Sequence, residues 1–368
     1  MFLEEYEMKK FFALLLAMVM VLSLAACGGK EAEAPAAAPA APAEAPAKEE
    51  APAKEEAPAE EVLTLVSAQA GSTADSVLGQ GTTKFEELVE EYSGGLIQVE
   101  SFYGSELGGI PAQVEGVFDG TIDMVCCGPS YLAGIVPEIQ VFDLPMIFDN
   151  YEQINATLDG DPGQYIASKF EGSGVKLMTY FHSGLRSITN NTCQINSAED
   201  VKGIKIRVAP SDTQIATWEG FGAIPMAMSS DETFTALQQG TIDAQENGLT
   251  YIYSVKMHEA QKYMSLTQHS YTSMPVIFNQ EKWDSLTDQQ KEWITKAIVD
   301  AANWQREATA AAEAEIVDAI EAEGIEVQRN PDRESFKPLA QPAYDVFNEV
   351  MGSDEILTMV QEYVAGLK

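Results

Sequence analysis

One long stretch without glycine or proline, from Thr287 to Glu323, limits most strongly how this chain can fold. Thr287 and Gln290 match a capping box at the start of a helix, and Gly324 is placed to end it. One face carries the residues Trp293, Ile294, Ala297, Ile298, Ala301 and Trp304. At roughly 1.5 Å per residue such a helix is longer than about 50 Å, more than one lobe of this size spans. We therefore expect a spine helix that runs along two lobes.

Short apolar runs alternate with longer amphipathic ones through the rest of the chain. Helical patterns lie between most of these runs, for example over residues 82–92, where Phe85, Leu88 and Val89 share a face. The predicted strands cover residues 62–67, 96–102, 123–127, 176–180, 205–209, 224–228 and 274–278. Alternating strands and helices are typical of α/β layering with mostly parallel sheets, and the predicted fold class is therefore α/β.

One tetrapeptide occurs twice. Gly-Thr-Ile-Asp covers residues 120–123 and again residues 240–243, which is a separation of 243 − 123 = 120 positions. Each copy follows an amphipathic helical pattern and precedes a predicted strand and turn. The matching surroundings favour two lobes of related design over a chance repeat.

The beginning of the sequence has the pattern of an export signal. Lys9 and Lys10 precede an apolar run over residues 11–24, which is too short for a comfortable membrane span. Small residues and then Cys27 follow, and this arrangement looks like a bacterial lipobox. We expect residues 1–27 to be a signal peptide with a lipobox, with Met8 as the true start, because the acidic residues before Met8 do not suit such a signal. The alternative is a signal peptide that merely ends near a cysteine.

Residues 28–61 are almost entirely alanine, proline, glutamate and lysine, with Ala-Pro recurring. Such a segment cannot form a core, and its prolines favour an extended spacer. We expect a tether that holds the following domain away from a lipid surface to which Cys27 is anchored. Residues 62–368 are then long enough for two domains of ordinary size.

The net charge of −35 excludes nucleic acid and anionic lipid headgroups as partners, because such a surface repels them. Beyond Cys27 the cysteines are Cys126, Cys127 and Cys193, an odd number that gives no disulfide framework. We expect these thiols to be buried. The sequence predicts no metal site and no cofactor.

Enzymatic chemistry finds little support. The sequence contains no Walker A motif and no nucleophile elbow. His258 and Glu259 begin like a zinc-protease motif, but Lys262 stands where the second histidine is required. The only histidines are His182, His258 and His269. We expect a protein that is not an enzyme; a hydrolase that works with carboxylates alone is the formal alternative.

Positive charge is placed unevenly. Between Lys84 and Lys169 there is no lysine, arginine or histidine, so this segment cannot offer a cation to a ligand. The five arginines are Arg186, Arg207, Arg306, Arg329 and Arg333. The last three fall in the predicted long helix and in a polar loop, where solvated surface positions are expected.

Arg207 has a different setting, near the carboxyl end of a predicted strand, where ligands of open α/β sheets bind. Ser211 and Gln214 match a capping box, so the amides of a helix N-terminus are expected beside the guanidinium. Arginine binds a carboxylate through two parallel hydrogen bonds, and a helix N-terminus favours negative charge. The residues themselves leave open a structural ion pair of Arg207 with an aspartate or glutamate.

Several motifs resemble one family over nearly all of residues 62–368. They are residues 197–207 (SAEDVKGIKIR), 221–226 (FGAIPM) and 236–247 (ALQQGTIDAQEN), and, upstream, residues 107–109, 120–123, 142–145 and 158–160. In order and spacing this set resembles the DctP-type extracytoplasmic solute receptors of TRAP transporters. Together the motifs are specific, although each is weak alone.

The resemblance implies a two-lobed fold of the periplasmic-binding-protein type, with crossing strands, a hinge and closure over the ligand. Lobe I is expected to comprise residues 62–184 and 272–312, and lobe II residues 185–271 and 313–368. The spine helix would then pass from one lobe to the other.

The resemblance also implies that Arg207 is the main carboxylate clamp, Arg186 a second basic contact and Asn247 a hydrogen-bonding partner. Further candidates for the cleft are Ser211, Gln214, Ser229, Tyr103, Ser130 and Tyr251, although core packing is the commoner position for tyrosine. The sequence Glu246-Asn247-Gly248 departs from sialic-acid and many sugar-acid receptors, which usually show a second asparagine. Receptors for C4-dicarboxylates usually have proline at Gly248, so the identity of the substrate stays open.

The expected function is the capture of a small organic anion, either a C4-dicarboxylate or a sugar acid, outside the cell membrane. We expect a lipid-anchored monomer that delivers this anion to the permease subunits of a TRAP transporter. One alternative is the receptor of an ATP-driven importer for an amino acid, whose ammonium group the acid-rich first lobe could bind. Another is a sensor lipoprotein without a transport role.

Overall fold

The computed structural model describes residues 61–367, which form nine strands and eleven α-helices. The predicted export signal, Cys27 and residues 28–60 of the predicted tether lie outside the described residues. The strands are β1 (Leu63–Ala70), β2 (Ile97–Gly104), β3 (Met124–Cys126), β4 (Val175–Asn190), β5 (Lys205–Val208), β6 (Ile224–Ala227), β7 (Ala244–Gly248), β8 (Tyr263–Asn279) and β9 (Glu326–Gln328).

The α-helices follow in chain order, and short 3-10 helices connect several of them. The α-helices are α1 (Val77–Ser93), α2 (Ile110–Asp119), α3 (Tyr151–Asp159), α4 (Asp161–Ser168), α5 (Asp212–Gly220), α6 (Ser230–Gln238), α7 (Leu249–Ser254), α8 (Gln280–Ser285), α9 (Asp288–Ala322), α10 (Gln341–Met351) and α11 (Glu355–Gly366). The 3-10 helices cover Pro129–Tyr131, Pro137–Asp143, Ala198–Val201, Met257–Ala260 and Arg333–Leu339.

The strands form one mixed sheet with the order β2-β1-β3-β8-β4-β7-β5-β6, and β9 pairs with β8. Most neighbouring strands are parallel, as predicted. The centre is antiparallel, because β8 pairs with β3 and β4, and β4 with β7. The strands β4 and β8 have 16 and 17 residues, so the predicted strands 176–180 and 274–278 are only parts of them. These two long strands are the crossing strands that the family resemblance implied.

The two ends of the sheet repeat one arrangement. In the first half, β1-α1-β2-α2-β3, the central strand is β1; in the second half, β5-α5-β6-α6-β7, it is β5. Each copy of the repeated tetrapeptide follows the second helix of its half. Gly120 and Gly240 both have a positive φ, 78° and 67°, which glycine adopts without steric cost. The prediction of two related lobes is confirmed.

The long helix α9 is present as predicted. Thr287 and Gln290 form the capping box, since the Thr287 side chain accepts from the Gln290 N–H and the Gln290 side chain accepts from the Thr287 N–H. Gly324 follows the end of the helix with a φ of 96°. Helix α9 packs on α1 of the first half, on β4, and on α7, which follows the second half. It is therefore a spine shared by both halves.

The position of Arg306 on α9 corrects a prediction. Arg306 is buried rather than solvated, and its Nη1 donates to both carboxylate oxygens of Asp159, at 2.8 Å each. Its Nε donates to the carbonyl of Tyr180 at 2.9 Å. The buried face of α9 continues from Ala301 through the polar residue Gln305, whereas Trp304 is exposed. Polar residues thus take over the buried face where α9 crosses β4.

The other two arginines that were predicted to lie at the surface differ from each other. Arg333 is half-buried, and it donates to the backbone carbonyls of Thr267 and Gln268 at 3.2 and 3.0 Å. The predicted surface position of Arg333 was wrong, because these hydrogen bonds connect the 3-10 helix Arg333–Leu339 to β8. Arg329 is exposed as predicted and donates to Asp318 at 2.6 Å.

Each half has its own hydrophobic core. Phe85 of α1 packs in the first core, and Trp218 of α5 packs in the second together with Phe221, the residue that follows α5. Near the C-terminus, α10 packs on α5, whereas α11 packs on α3 and α4. Among residues 61–367, no helix combines the length and the hydrophobicity that a membrane crossing requires.

Candidate functional site

A small cavity of about 60 Å³ lies where the two halves of the sheet face each other. The first half contributes residues that follow β3, the second half contributes Arg207 of β5, and the long strands contribute Arg186 and Thr272. The polar lining includes Ser130, Tyr131, Asp143, Ser230, Asn247 and Tyr251. Six predicted candidates therefore meet here: Arg186, Arg207, Asn247, Gln214, Ser130 and Tyr251.

A larger groove of about 630 Å³ lies between the start of α1, helix α7 and α9. Its charged lining includes the carboxylates Asp75, Glu259, Glu315 and Glu323, and Lys256. Because carboxylates outnumber the cation, this groove suits an anion poorly despite its size. The smaller cavity is therefore the better candidate for an anion site.

Arg207 is a buried cation that has no carboxylate partner in the part of the chain that the structure describes. It is 2% exposed, and its Nε and Nη2 donate to the carbonyl of Met228 at 3.0 and 2.8 Å. Nη2 also donates to Ser230 Oγ at 3.1 Å. Within residues 61–367, Nη1 meets no acceptor and no carboxylate forms an ion pair with the guanidinium. Burial lowers the pKa of Arg207, which a bound anion would reverse.

Arg186 has a different environment, because all five of its N–H groups donate within the protein. Nε and Nη2 donate to the two carboxylate oxygens of Glu246 at 2.5 and 2.7 Å, and Nη2 also donates to the backbone carbonyl of Glu246 at 2.8 Å. Nη1 donates to Asn247 Oδ1 at 3.1 Å and to Thr272 Oγ1 at 2.7 Å. No donor of Arg186 is left for a ligand in this arrangement.

Glu246 neutralises Arg186 from within the sheet. Its side chain is fully buried, and His269 Nε2 lies 3.1 Å from Glu246 Oε2. Thr267 Oγ1 lies 2.8 Å from the other ring nitrogen of His269. Burial alone would raise the pKa of the Glu246 carboxyl, but Arg186 and His269 outweigh it and hold the pKa well below its usual range. The carboxylate is therefore ionised and fully paired.

Asn247 and Thr272 are oriented by Arg186. Because Asn247 Oδ1 accepts from Arg186, and also from the N–H of Gly248 at 3.0 Å, its Nδ2 is left over. Within the described part of the chain, this Nδ2 meets no acceptor. The hydroxyl of Thr272 likewise accepts from Arg186 and keeps its own O–H for another partner. Both groups can donate a hydrogen bond into the cavity.

The predicted capping box at the start of α5 is absent. Ser211 is the N-cap residue, but its side chain makes no capping hydrogen bond. Instead, Ser211 Oγ donates to Gln140 Oε1 at 2.5 Å and lies 2.8 Å from Thr213 Oγ1. The Ser211 hydroxyl thus bonds the side chain of Gln140, which lies in a 3-10 helix distant in the sequence, and not the amides of α5. The local sequence around Ser211 gives no sign of this partner.

The remaining candidates are divided between the cavity and its surroundings. Gln214 lines the cavity, and its buried Oε1 has no partner among residues 61–367. Ser211 and Ser229 are not part of the cavity lining, and Ser229 is the N-cap residue of α6. Ser130 and Tyr251 line the cavity, whereas Tyr103 bonds Thr83 on α1 instead.

Asp143 lines the cavity and was not among the predicted site residues. It is 7% exposed, and its Oδ1 has no hydrogen-bond partner within residues 61–367. Burial raises the pKa of the Asp143 carboxyl well above its usual range, and the nearby cation Arg186 only partly opposes this. The residue lies in the motif Phe142-Asp143-Leu144-Pro145, which was identified by resemblance but given no function.

Two of the three thiols have the expected buried positions, at the end of β3, whereas Cys193 is only half-buried. Cys126 and Cys127 are free and buried, and burial raises the pKa of the Cys127 thiol to about 12. Such a thiol is unreactive at neutral pH. In the part of the chain that the structure describes, no three histidine, cysteine, aspartate or glutamate side chains are arranged to hold a metal ion.

The comparisons with known proteins agree on one family. The family described as "Bacterial extracellular solute-binding protein, family 7", or DctP, matches residues 68–350. The chain is 34% identical over 281 residues to the 2,3-diketo-L-gulonate-binding periplasmic protein YiaO of Escherichia coli, which covers 76% of this chain and 86% of that protein. It is 29% identical over 287 residues to the C4-dicarboxylate-binding periplasmic protein DctP of Rhodobacter capsulatus, covering 77% of this chain and 86% of that protein.

Among solved structures, the chain is similar to a TRAP periplasmic solute-binding protein from Polaromonas sp. JS666, which was crystallised with D-erythronate. The two share 32% identity and a TM-score of 0.77, over 81% of this chain and 98% of the other. The family match extends over most of the chain, including both halves of the sheet and the cavity between them. This chain therefore belongs to family 7 of the bacterial extracellular solute-binding proteins, the DctP-type solute receptors of TRAP transporters.

Proposed function

We propose that the cavity binds a small organic acid whose carboxylate is held by Arg207. The observation that carries this proposal is the buried guanidinium of Arg207, which lacks a carboxylate partner within residues 61–367 and has Nη1 free of acceptors. A carboxylate placed there would gain charge-assisted hydrogen bonds in a site shielded from water. Relatives support this class of ligand, because the proteins compared above bind 2,3-diketo-L-gulonate, C4-dicarboxylates or D-erythronate.

Asn247 and Arg186 complete the proposed site. Arg186 holds Asn247 Oδ1 and Thr272 Oγ1, and this leaves the Asn247 amide and the Thr272 hydroxyl as donors to the ligand. Gln214 offers an unpartnered amide oxygen in the same cavity. These groups suit the hydroxyl and carbonyl oxygens of a sugar acid or a related compound.

An amino acid is less well supported as the ligand. Its ammonium group would need an ionised acid in the cavity. Glu246 is already paired with Arg186, and burial opposes the ionisation of Asp143 by raising its pKa well above its usual range. The available charge therefore favours an acid without an ammonium group.

Capture is proposed to occur by closure of two lobes about β4 and β8. The lobes would comprise residues 62–184 with 272–312, and residues 185–271 with 313–368. Helix α11 would be an exception, because its packing on α3 and α4 would carry it with the first lobe. The closed form would then deliver the acid to the membrane permease of the transporter.

We also propose that the protein acts as a monomer at the outer face of the cell membrane. Cys27 would carry the lipid anchor after cleavage of the signal peptide, and residues 28–61 would form the tether. Metabolic labelling with a radioactive fatty acid, compared between the natural chain and Cys27→Ala, tests the anchor. Label retained by the variant would contradict it.

Calorimetry with D-erythronate, 2,3-diketo-L-gulonate and a C4-dicarboxylate tests the proposed function. We expect Arg207→Ala to lose about 3 to 5 kcal/mol of binding free energy to any acid that binds. Arg207→Lys should also bind weakly, because a point charge cannot replace the planar fork. The exposed Arg329→Ala is the matched control and should bind as the natural protein does. Full affinity in a folded Arg207→Ala protein would refute the assignment.

A further inference from the structure

Arg207 presents only one nitrogen to the cavity. The N–H of Nε and both N–H groups of Nη2 donate to the carbonyl of Met228 and to Ser230 Oγ, at 2.8 to 3.1 Å. Nη1 meets no acceptor within residues 61–367. The nitrogens that could bind a carboxylate through two parallel hydrogen bonds are therefore already used in part, and Nη1 is left to satisfy one carboxylate oxygen.

The second carboxylate oxygen needs another donor, because an unpaired anionic oxygen is costly in a buried site. Asn247 and Thr272 are bonded to Arg186 rather than to Arg207. The hydroxyl of Tyr131 lines the same cavity of about 60 Å³, is buried, and has no hydrogen-bond partner within the described residues. Burial lowers the pKa of Arg207, and Tyr131 is the neighbouring group that opposes this most strongly.

We propose that Tyr131 donates to the carboxylate that Arg207 binds, so that the carboxylate itself connects the two halves of the protein. This inference rests on the proposed function, in which Arg207 holds the carboxylate. Tyr131 ends the 3-10 helix Pro129–Tyr131, which follows β3 of the first half, whereas Arg207 lies on β5 of the second half. The group that anchors the acid is then also the group that holds the two halves together.

A short, rigid turn holds Tyr131 at this position. Pro129 begins the 3-10 helix, and the N–H of Tyr131 donates to the carbonyl of Gly128 at 3.1 Å. The N–H of Leu132 donates to the carbonyl of Pro129 at 2.9 Å. Leu132 is fully buried, and Tyr131 packs against the hydrophobic cluster that contains it. The phenol is therefore in place before a ligand arrives, which lowers the entropic cost of the contact.

Tyr251 also lines the cavity, but it would not connect the halves. It lies on α7, which directly follows β7 of the second half, so it would move with the lobe that carries Arg207. A contact between Tyr251 and the ligand could form before closure. A contact from Tyr131 to a carboxylate on Arg207 forms only when the halves have closed.

Tyr131→Phe tests the inference, because it removes one hydroxyl and keeps the ring. D-Erythronate, 2,3-diketo-L-gulonate and succinate are the probes. For the acid that binds the natural protein most tightly, we expect calorimetry to give a dissociation constant about 10- to 100-fold larger. A Tyr131→Phe protein with the melting temperature and the affinity of the natural protein would overturn the inference.

The matched control is Tyr271→Phe. Tyr271 is also buried, and its hydroxyl also lacks a partner among residues 61–367, but it does not line the cavity. This variant should bind as the natural protein does. An equal loss of affinity in both variants would show that Tyr131 has no special role in binding.

Binding kinetics distinguish a contact made on closure from one made earlier. Because the hydrogen bond from Tyr131 forms only in the closed protein, Tyr131→Phe should raise the dissociation rate constant by most of the change in affinity. The association rate constant should stay within about threefold of its natural value. A loss that lies in the association rate constant alone would count against the inference.

A double variant tests whether both residues bind the same carboxylate. If they do, Arg207→Lys and Tyr131→Phe together should weaken binding less than the product of their separate fold changes, because either substitution already disturbs the shared contact. If the two fold changes multiply, the residues bind different groups of the ligand and the inference fails.

The outcomes separate this inference from the proposed function. If Arg207→Ala abolishes binding and Tyr131→Phe leaves it unchanged, the inference about Tyr131 fails and the proposed function stands. If Arg207→Ala keeps full affinity, both fail. If none of the three acids binds the natural protein, both fail as well.

Discussion

Asp123 and Asp243 form the same reciprocal pair of hydrogen bonds at opposite ends of the sheet. The backbone N–H of Asp123 donates to the carbonyl of Val66 at 2.9 Å, and its Oδ2 accepts from the Val66 N–H at 2.7 Å. The N–H of Asp243 donates to the carbonyl of Lys205 at 2.8 Å, and its Oδ2 accepts from the Lys205 N–H at 3.0 Å. The repeated tetrapeptide is thus the same structural device used twice.

This equivalence also shows where the halves differ. Since Val66 of β1 corresponds to Lys205 of β5, the position two residues further along each strand holds Ala68 in the first half and Arg207 in the second. The backbone arrangement is common to both halves, but the cation is present in only one. The lack of basic residues between Lys84 and Lys169 belongs to the same asymmetry.

The paired aspartates should have matched effects on stability. Asp123→Ala and Asp243→Ala each remove the acceptor of a strand N–H, and we expect each to cost about 1 to 3 kcal/mol in urea denaturation. Asp123 is the more buried of the two and should cost more. Asp318→Ala, which removes an exposed ion pair with Arg329, is the control and should change stability by less than about 1 kcal/mol. If neither aspartate substitution changes the free energy of unfolding, these hydrogen bonds are not needed for stability.

Removal of Arg186 should destabilise the fold in a pH-dependent way. Arg186→Ala leaves the Glu246 carboxylate buried without its cation, which we expect to cost about 3 to 5 kcal/mol at pH 7. The pKa of Glu246 is held below its usual value of 4.5, so the pairing contributes stability above that pH and loses it as the pH falls. The difference between natural protein and variant, measured by urea denaturation, should therefore shrink from pH 7 to pH 4. A pH-independent difference would contradict this account.

Glu313 on α9 should make stability fall as the pH rises. Burial raises its pKa from 4.5 to about 7, although the hydroxyl of Tyr151 donates to the carboxylate. Between these values the folded state keeps a proton that the unfolded state has lost, so stability decreases with rising pH. Glu313→Gln removes this dependence. Relative to the natural protein, we expect the variant to gain about 2 to 3 kcal/mol between pH 5 and pH 8 in chemical denaturation.

The control for Glu313 is the exposed Glu307 on the same helix. Glu307→Gln makes the same chemical change at the surface. Its free energy of unfolding should change between pH 5 and pH 8 as that of the natural protein does. If the free energy of unfolding of Glu313→Gln also changes between pH 5 and pH 8 as that of the natural protein does, the carboxyl of Glu313 titrates normally and the prediction fails.

His182 should make stability fall as the pH drops, which is the opposite of the effect of Glu313. It is fully buried between Tyr151 and Tyr271, and neither ring nitrogen has a partner within residues 61–367. Burial lowers its pKa well below 6.5, so the unfolded state binds a proton that the folded state does not, and stability falls as the pH drops below 6.5. His182→Phe should remove this slope and gain about 2 kcal/mol relative to the natural protein between pH 8 and pH 5. If the free energies of unfolding of His182→Phe and of the natural protein change with pH in the same way, the prediction is refuted.

Features with local causes could be predicted from the sequence. The capping box at Thr287 and Gln290 and the end of the helix at Gly324 depend on neighbouring residues, and both were located correctly. Arg207 follows from the same kind of pattern, since alternating apolar residues place it near the end of β5. The family resemblance added Arg186 and Asn247, and these residues line one cavity with Arg207.

Features with distant causes could not be predicted. The long strands β4 and β8 bury polar residues such as Ser187 and Thr267, so no continuous hydrophobic run marks their length. Arg306 is buried because Asp159, far away in the sequence, pairs with it. The pairing of Glu246 with Arg186 joins β4 and β7, and the local sequence around either residue gives no sign of it.

The sharing of β4, β8 and α9 by both halves has a consequence for how the protein unfolds. The chain enters the second half through β4, returns through β8, and then runs along both halves in α9. Each half packs on these shared elements, so each loses part of its packing if the other melts. Residues 61–367 should therefore refold and denature as one cooperative unit.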